Sequence, residues 1–220
     1  MSETDSFIDE VSEEVRRDRL YGYLRRYGWI GALGVVVIVG GAAFNEYRKA
    51  QIRAEAEALG DNLLAALESD EAAERRSALD GVVAEGQAAD IVALLSAAER
   101  VVDEDPGGAA ELLRPLAQNP DAPAVYADLA ALKLVLLGDA ALEPTTRAQL
   151  LERLALPGAP YAALAREQQA LMLAAEGRNE DALEAAQILF QEDGLTPSLR
   201  QRLAQFIIAL GGELPLPGAG

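Results

Sequence analysis

Residues 166–193 read REQQALMLAAEGRNEDALEAAQILFQED, and this stretch decides the fold. The small Ala170 and the large Leu173 share a stripe at helical spacing, which predicts a first helix with one apolar face. Gly177 stands where that helix would need a left-handed cap, and Ala182 stands near the start of a second apolar stripe. The stretch therefore predicts two short antiparallel helices that pack closely at their small residues.

This spacing follows the tetratricopeptide pattern, a repeat of about thirty-four residues built from two antiparallel helices. We take Ala170, Leu173, Gly177 and Ala182 as its signature in this chain. A looser match in residues 107–138 brings the count to two or three degenerate repeats; its apolar positions are Ala110, Leu113, Tyr126, Leu129 and Leu132. Stacked repeats of this kind leave a surface that binds other proteins.

The composition of the whole chain points the same way. Half of its 220 residues are apolar, mostly Ala and Leu, a mixture that favours helices over strands. We therefore predict an all-α protein. Gly, Pro and Asn/Asp clusters divide the chain after residue 50 into nine helical stretches: 51–69, 71–85, 88–103, 107–118, 122–137, 145–156, 161–176, 180–191 and 197–210.

Ahead of these helices lies an uncharged segment, residues 27–45, with aromatic residues near both of its ends. At 1.5 Å per residue it is long enough to cross the roughly 30 Å hydrocarbon layer of a membrane. Five arginines precede it and three basic residues follow closely, so the positive-inside rule predicts a cytoplasmic N-terminus. The domains expected are a cytosolic segment 1–26, a single transmembrane helix 27–45, a tetratricopeptide-like helical solenoid 46–210 and a flexible tail 211–220.

Two features of the apolar segment leave alternatives open. Gly41, Ala42 and Ala43 would suit a cleaved signal peptide, although the acidic, twenty-six-residue segment before Tyr27 is unlike a short basic leader. The spacing of Gly28, Gly31 and Gly34 would let a neighbouring transmembrane helix approach closely, or it reflects ordinary glycine use in membrane helices.

Charge and residue types exclude several classes of function. The net charge of −17 repels nucleic acid, and the absence of His and Cys removes the commonest general base, metal ligand and nucleophile. We find no catalytic, cofactor-binding or metal-binding residues; residues 103–105, Asp-Glu-Asp, lack the ligand spacing of a calcium loop and are candidates for partner contact. The acidic charge favours a basic or amphipathic polypeptide as ligand, or it serves solubility alone.

The order of these parts, with Arg-Arg-Tyr-Gly-Trp at 25–29, resembles the YfgM family, ancillary subunits of the bacterial SecYEG translocon. The most specific likeness lies in Pro-Tyr-Ala-Ala at 160–163, Gly177, and Asp-Gly-Leu-Thr-Pro at 193–197. The resemblance implies an inner-membrane protein whose tetratricopeptide-like domain faces the periplasm. It implies partners among translocon subunits and a membrane-anchored periplasmic chaperone, and secretory proteins as clients. It implies no enzyme activity, no cofactor and no small-molecule substrate.

A second hypothesis stays open beside this one. The same architecture would serve a scaffold or assembly factor for another bacterial envelope complex. No binding residue is carried over from the family, because the middle of the chain, about 70–119, does not follow its pattern.

Overall fold

The computed structural model describes the backbone of residues 3–214 and the side chains of residues 25–214. Every regular element in these ranges is helical, so the all-α prediction is confirmed for them. The helices are α1 (Glu3–Ala66), α2 (Ala72–Asp80), α3 (Gln87–Val102), α4 (Pro106–Ala117), α5 (Ala124–Leu136), α6 (Pro144–Leu154), α7 (Ala162–Ala175), α8 (Asn179–Phe190) and α9 (Pro197–Ala209). The chain divides into two units, Met1–Gly60 and Asp61–Gly220.

The described part of the first unit, from Glu3, is a single continuous helix. Its backbone stays helical from Glu3 through the uncharged residues 27–45 and onward, where the sequence predicts a separate helix beginning at Gln51. The two predicted helices are one because no Gly or Pro follows Gly41 until Gly60 and the intervening residues are good helix formers. The cytosolic segment was predicted for residues 1–26, and its side chains up to residue 24 lie outside the part that the structure describes.

In the second unit each helix packs mainly on the next one along the chain. Contacts join α2 to α3, α3 to α4, and so on to α8 and α9, with a smaller direct contact between α3 and α5. Two buried cores result. One lies among α3 to α7 and the other among α7 to α9, and Leu164 packs against both.

Small residues allow these helices to approach closely. The alanines with no exposed surface occur in α4, α5, α7 and α8; they are Ala109, Ala130, Ala131, Ala165, Ala170, Ala182 and Ala186. An alanine at a crossing point brings two helix axes nearer than a leucine would. Leucines fill the space between the crossings, and Leu113, Leu151 and Leu154 are almost completely buried.

Gly177 ends α7 in the left-handed conformation, with φ of +82°. The Arg178 N–H donates to the Leu173 carbonyl at 2.9 Å and the Gly177 N–H donates to the Ala174 carbonyl at 3.0 Å. These two bonds form a Schellman motif, which satisfies carbonyls that the helix end leaves free. The glycine that the sequence places at this cap is the residue type for which a positive φ carries no steric penalty.

Hydrogen bonds also join Gly212 and Glu213, near the end of the described residues, to helices of the second unit. The Gly212 N–H donates to the Ile207 carbonyl, and Gln187 Nε2 donates to the Glu213 carbonyl, each at 2.9 Å. A Cβ at Gly212 would collide with Leu183, so the chain passes very close to α8 there. The flexible tail was predicted for residues 211–220, and residues 215–220 lie outside the described part.

Asp105 caps the N-terminus of α4. Its Oδ1 accepts a hydrogen bond from the Gly108 N–H at 2.9 Å, and Arg100 Nη1 lies 3.3 Å from its Oδ2. The backbone hydrogen bond from Gly108, aided by Arg100 and opposed by desolvation, holds the pKa of this carboxyl below its ordinary value of 3.8. The cap is therefore strongest when Asp105 is ionised.

We expect Asp105→Asn to destabilise the chain at neutral pH and to equal the original chain in strong acid. Asparagine still caps a helix, so the variant removes only the charge. A carboxyl with a lowered folded pKa adds stability above its unfolded pKa, and this stability disappears as the pH falls through the folded value. Urea unfolding in detergent should therefore show a difference above about pH 5 that shrinks below about pH 4.

The exposed neighbour Glu104 provides the control for this prediction. The described structure gives its side chain no hydrogen bond or ion pair, so Glu104→Gln should leave the pH dependence of stability unchanged. A difference between Asp105→Asn and the original chain that is equally large at pH 7 and pH 2.5 would contradict the electrostatic account of the cap.

Candidate functional site

The uncharged part of α1 is the first candidate site. Arg25–Ala66, the described C-terminal part of α1, is the one helical segment among the described residues that is long and apolar enough to cross a membrane. Every side chain from residue 25 to residue 58 is exposed, and Val36 and Ile38 expose 66% and 73% of their surface. Exposed β-branched residues in an unbroken row are unfavourable in water, so this surface is suited to an apolar environment.

The three glycines predicted to pack against another helix lie on this exposed segment. Nothing among the described residues comes within 4 Å of a Cβ built at Gly31 or Gly34, and Gly28 is exposed as well. The surface at Gly31 and Gly34 is therefore open to an approaching helix. The association itself stays a prediction.

The second candidate site is an apolar depression of about 500 Å³ in the second unit, between α5, α7 and α9. Its apolar lining consists of Leu132, Leu136, Leu164, Leu171, Leu203 and Phe206. Leu203 belongs to the core, whereas Leu136 and Leu171 expose 58% and 40% of their surface. The depression is thus a place where the core between the helices reaches the solvent.

A smaller depression of about 250 Å³ between α3, α4 and α5 adjoins it and also includes Leu136. Its other lining residues include Ala98 and Val101 of α3 and Lys133 of α5. We call the combined lining of the two depressions the odd-helix face, because α3, α5, α7 and α9 supply nearly all of it. It is an apolar surface that runs across four helices.

A paired carboxylate and arginine lie in the odd-helix face. Arg202 Nε and Nη2 each donate to a Glu167 carboxylate oxygen at 2.7 Å, which joins α9 to α7. The Glu167 side chain is 9% exposed and that of Arg202 is 50% exposed. The Glu167 hydrogen bonds raise the pKa of the Arg202 guanidinium. Only two of its five N–H groups are used by Glu167, so an exposed edge of the guanidinium remains available as a donor.

Lys133 is the other cation of the odd-helix face. It is half-buried, and within residues 61–214 it is the one basic side chain without a hydrogen bond, ion pair or ring contact. The other ten are arginines held by carboxylates or by backbone carbonyls, for example Arg153 on Asp128 and Arg75 on Glu99, both at 2.7 Å. Lys133 is therefore the cation most available to a ligand.

The charge of the odd-helix face is opposite in sign to that of the unit around it. Residues 61–220 contain eleven Lys or Arg and twenty-six Asp or Glu, a net charge of −15. The lining of the two depressions contains a single carboxylate, Glu167, which Arg202 neutralises, and the amides Gln168 and Gln205. The unpaired charge on this face is the positive one of Lys133.

The repeat residues singled out from the sequence lie elsewhere. Ala170 of α7 and Ala182 of α8 are completely buried, and Leu173 lines a different depression between α6, α7 and α8. These residues position the helices and do not line the odd-helix face. Sequence reasoning missed Leu136 and Leu171, whose signal is that α5 and α7 carry more apolar residues than one buried stripe needs.

The acidic run Asp103–Asp105 is mostly engaged within the fold. Asp103 pairs with Arg76, and Asp105 caps α4, which leaves Glu104 exposed with a φ of +58°. Among the described residues, no group of three or more Asp, Glu, His or Cys is placed to hold a metal ion.

The residues that the structure describes define a class of protein: its regular elements are helical, one helix is long and apolar enough to cross a membrane, and the second unit exposes an apolar face. Comparisons with protein-family models, curated proteins and solved structures found no match. The function of the two candidate sites is therefore inferred from their own chemistry and from the resemblance noted in the sequence.

Proposed function

We propose that this chain is a membrane-anchored, non-enzymatic protein-interaction module that works as an ancillary subunit of a bacterial translocon. The odd-helix face is the observation that carries the proposal. It exposes leucines over a completed core, and such a surface gains stability when another protein covers it. The ion pair between the buried Glu167 and the half-exposed Arg202 joins α7 to α9 at this face.

The second unit is, in this proposal, a degenerate tetratricopeptide-like solenoid. Packing of each helix on its chain neighbour supports this, since repeat proteins are stabilised mainly by such contacts. The Schellman motif at Gly177 and the buried Ala170 and Ala182 agree with the repeat pattern. In a solenoid of this kind the first helix of each pair lines one surface, which here would be the odd-helix face.

Residues 27–45 of α1 anchor the chain in the inner membrane, with residues 1–26 in the cytoplasm and the second unit in the periplasm. The exposed apolar side chains and the excess of arginine before the segment support this orientation. The resemblance to the YfgM family supports translocon subunits and a membrane-anchored chaperone as partners, and emerging secretory proteins as clients.

In-cell photo-crosslinking tests this function, with a photoreactive residue in place of Leu136 and, as a control, in place of Leu156. Both leucines are 58% exposed, and Leu156 lies outside the odd-helix face. We expect adducts with translocon subunits or a periplasmic chaperone at Leu136 and few at Leu156. Adducts at Leu136 with a different envelope complex alone would instead establish the scaffold alternative, and equal adducts at both positions would reject the odd-helix face as the contact.

A further inference from the structure

We propose that the odd-helix face binds an amphipathic helix of a partner protein whose apolar stripe is flanked by carboxylates. This inference rests on the proposed function and adds the chemistry of the ligand. It differs from what the net charge suggests, since a strongly acidic unit would be expected to prefer basic segments. The local charge of the odd-helix face decides which charged side chains of a ligand bind favourably there.

The apolar part of the face calls for a helix. Leu136, Leu171 and the half-buried Phe206 offer apolar contact, and the described residues contain no strand edge to which an extended peptide could add. An extended ligand would leave its backbone N–H and C=O groups facing leucines, which is unfavourable. A helix satisfies its own backbone and presents only side chains, so its apolar stripe fits this surface.

The charged residues of the face favour carboxylates on the ligand. Lys133 has no partner, and Arg202 has N–H groups that Glu167 leaves free. A ligand carboxylate near Lys133 gains an ion pair that the free protein lacks, whereas a ligand lysine there meets a like charge at a half-buried position. Gln168 of α7 and Gln205 of α9 have both donor and acceptor groups, so they can form hydrogen bonds with either kind of ligand.

The unpaired acids elsewhere in the unit favour basic segments, but they act outside the odd-helix face. A basic segment is attracted to the exposed carboxylates outside the face, for example to Glu152 and Glu176 at the depression between α6, α7 and α8. At physiological ionic strength charges more than about 8 Å away are largely screened, so Lys133 dominates the discrimination at the surface itself. An acidic amphipathic helix is therefore held by apolar contact and by Lys133 together.

Two labelled peptides test the inference with the full chain in nanodiscs of neutral lipid. Both form an eighteen-residue helix with leucines at i, i+3, i+4 and i+7; one carries glutamates beside the stripe and the other carries lysines. We expect fluorescence anisotropy at physiological salt to show the glutamate peptide binding about three to ten times more tightly. Empty nanodiscs measure binding to the lipid.

Charge reversal at the two lysines of the chain separates the local effect from net charge. Lys133→Glu should abolish or invert the preference, and Lys49→Glu, which changes the net charge equally on the exposed part of α1, should leave it intact. Leu136→Asn should weaken both peptides, and Leu156→Asn should weaken neither. Circular dichroism checks that each variant remains folded.

Equal binding of both peptides, a preference for the lysine peptide, or a preference that survives Lys133→Glu would overturn the inference. Failure of both peptides to bind, together with positive crosslinks at Leu136, would reject this ligand chemistry while the proposed function stands. Failure of the crosslinks together with the expected peptide preference would retain the binding chemistry and reject the translocon assignment.

Discussion

Replacing Val36 and Val37 by arginine is expected to release the chain from the membrane. These residues lie at the centre of residues 27–45, and both are more than 60% exposed. An arginine at the centre of a membrane helix costs about 2.5 to 3.5 kcal/mol, and two exceed the roughly 2 to 4 kcal/mol supplied by the six large aliphatic and phenylalanine residues that remain in the segment. Sedimentation of cell membranes, followed by carbonate extraction, measures the loss.

The control for this prediction changes the same two positions to another apolar residue that also favours a helix. Val36→Leu together with Val37→Leu should remain in the carbonate-resistant membrane fraction as the original chain does. An arginine variant that stays integrated in the membrane would show that residues 27–45 are not the anchor.

Truncating Ile207 is expected to loosen the end of the second unit and leave its beginning protected. Ile207 has no exposed surface and belongs to the core among α7 to α9. Ile207→Ala removes apolar contacts and leaves a cavity, which costs about 2 to 5 kcal/mol. Because each helix contacts mainly its chain neighbours, we expect hydrogen exchange to rise in α8 and α9 and to change little in α3 and α4.

The adjacent Ile208 supplies a matched control, since it is 61% exposed. Ile208→Ala should change the free energy of unfolding by less than about 0.5 kcal/mol. Equal loss of protection from α2 to α9 in the Ile207 variant would contradict a stacked array, because it would mean that the unit unfolds as one cooperative core.

The helices could be predicted from the sequence because the signals that define them are local. Pro144 and Pro197 begin α6 and α9 as prolines favour, and Gly177 follows α7 in the left-handed conformation. Ala and Leu at helical spacing identified the interiors of the helices. These features depend on a few neighbouring residues, so tertiary contacts were not needed to predict them.

Two boundaries differ from the expectation by five residues or more. The helix expected over 71–85 ends at Asp80, because Gly81 follows and glycine disfavours a helix; Val83, in the segment that connects α2 to α3, is 90% exposed. The helix expected from Gln51 is continuous with α1, because a change from apolar to polar residues alters the environment of a helix without breaking its backbone.

The odd-helix face was beyond sequence reasoning for a physical reason. It combines Lys133 of α5, Leu171 of α7 and Arg202 of α9, which are separated by more than thirty residues in the chain. Nothing in the sequence shows that Arg202 reaches Glu167, or that ten other cations are engaged and Lys133 is free. Net charge alone suggested a basic ligand, and only the local arrangement of charges favours an acidic one.

Membrane topology is the measurement that tests the central claim most directly. A reporter active only in the periplasm is fused after Gly220, and the accessibility of the second unit to protease is measured in intact spheroplasts. The account predicts an active reporter on a full-length, membrane-retained chain whose second unit is digested from outside. An inactive reporter and a protected second unit would contradict it and leave a membrane-tethered protein that faces the cytoplasm.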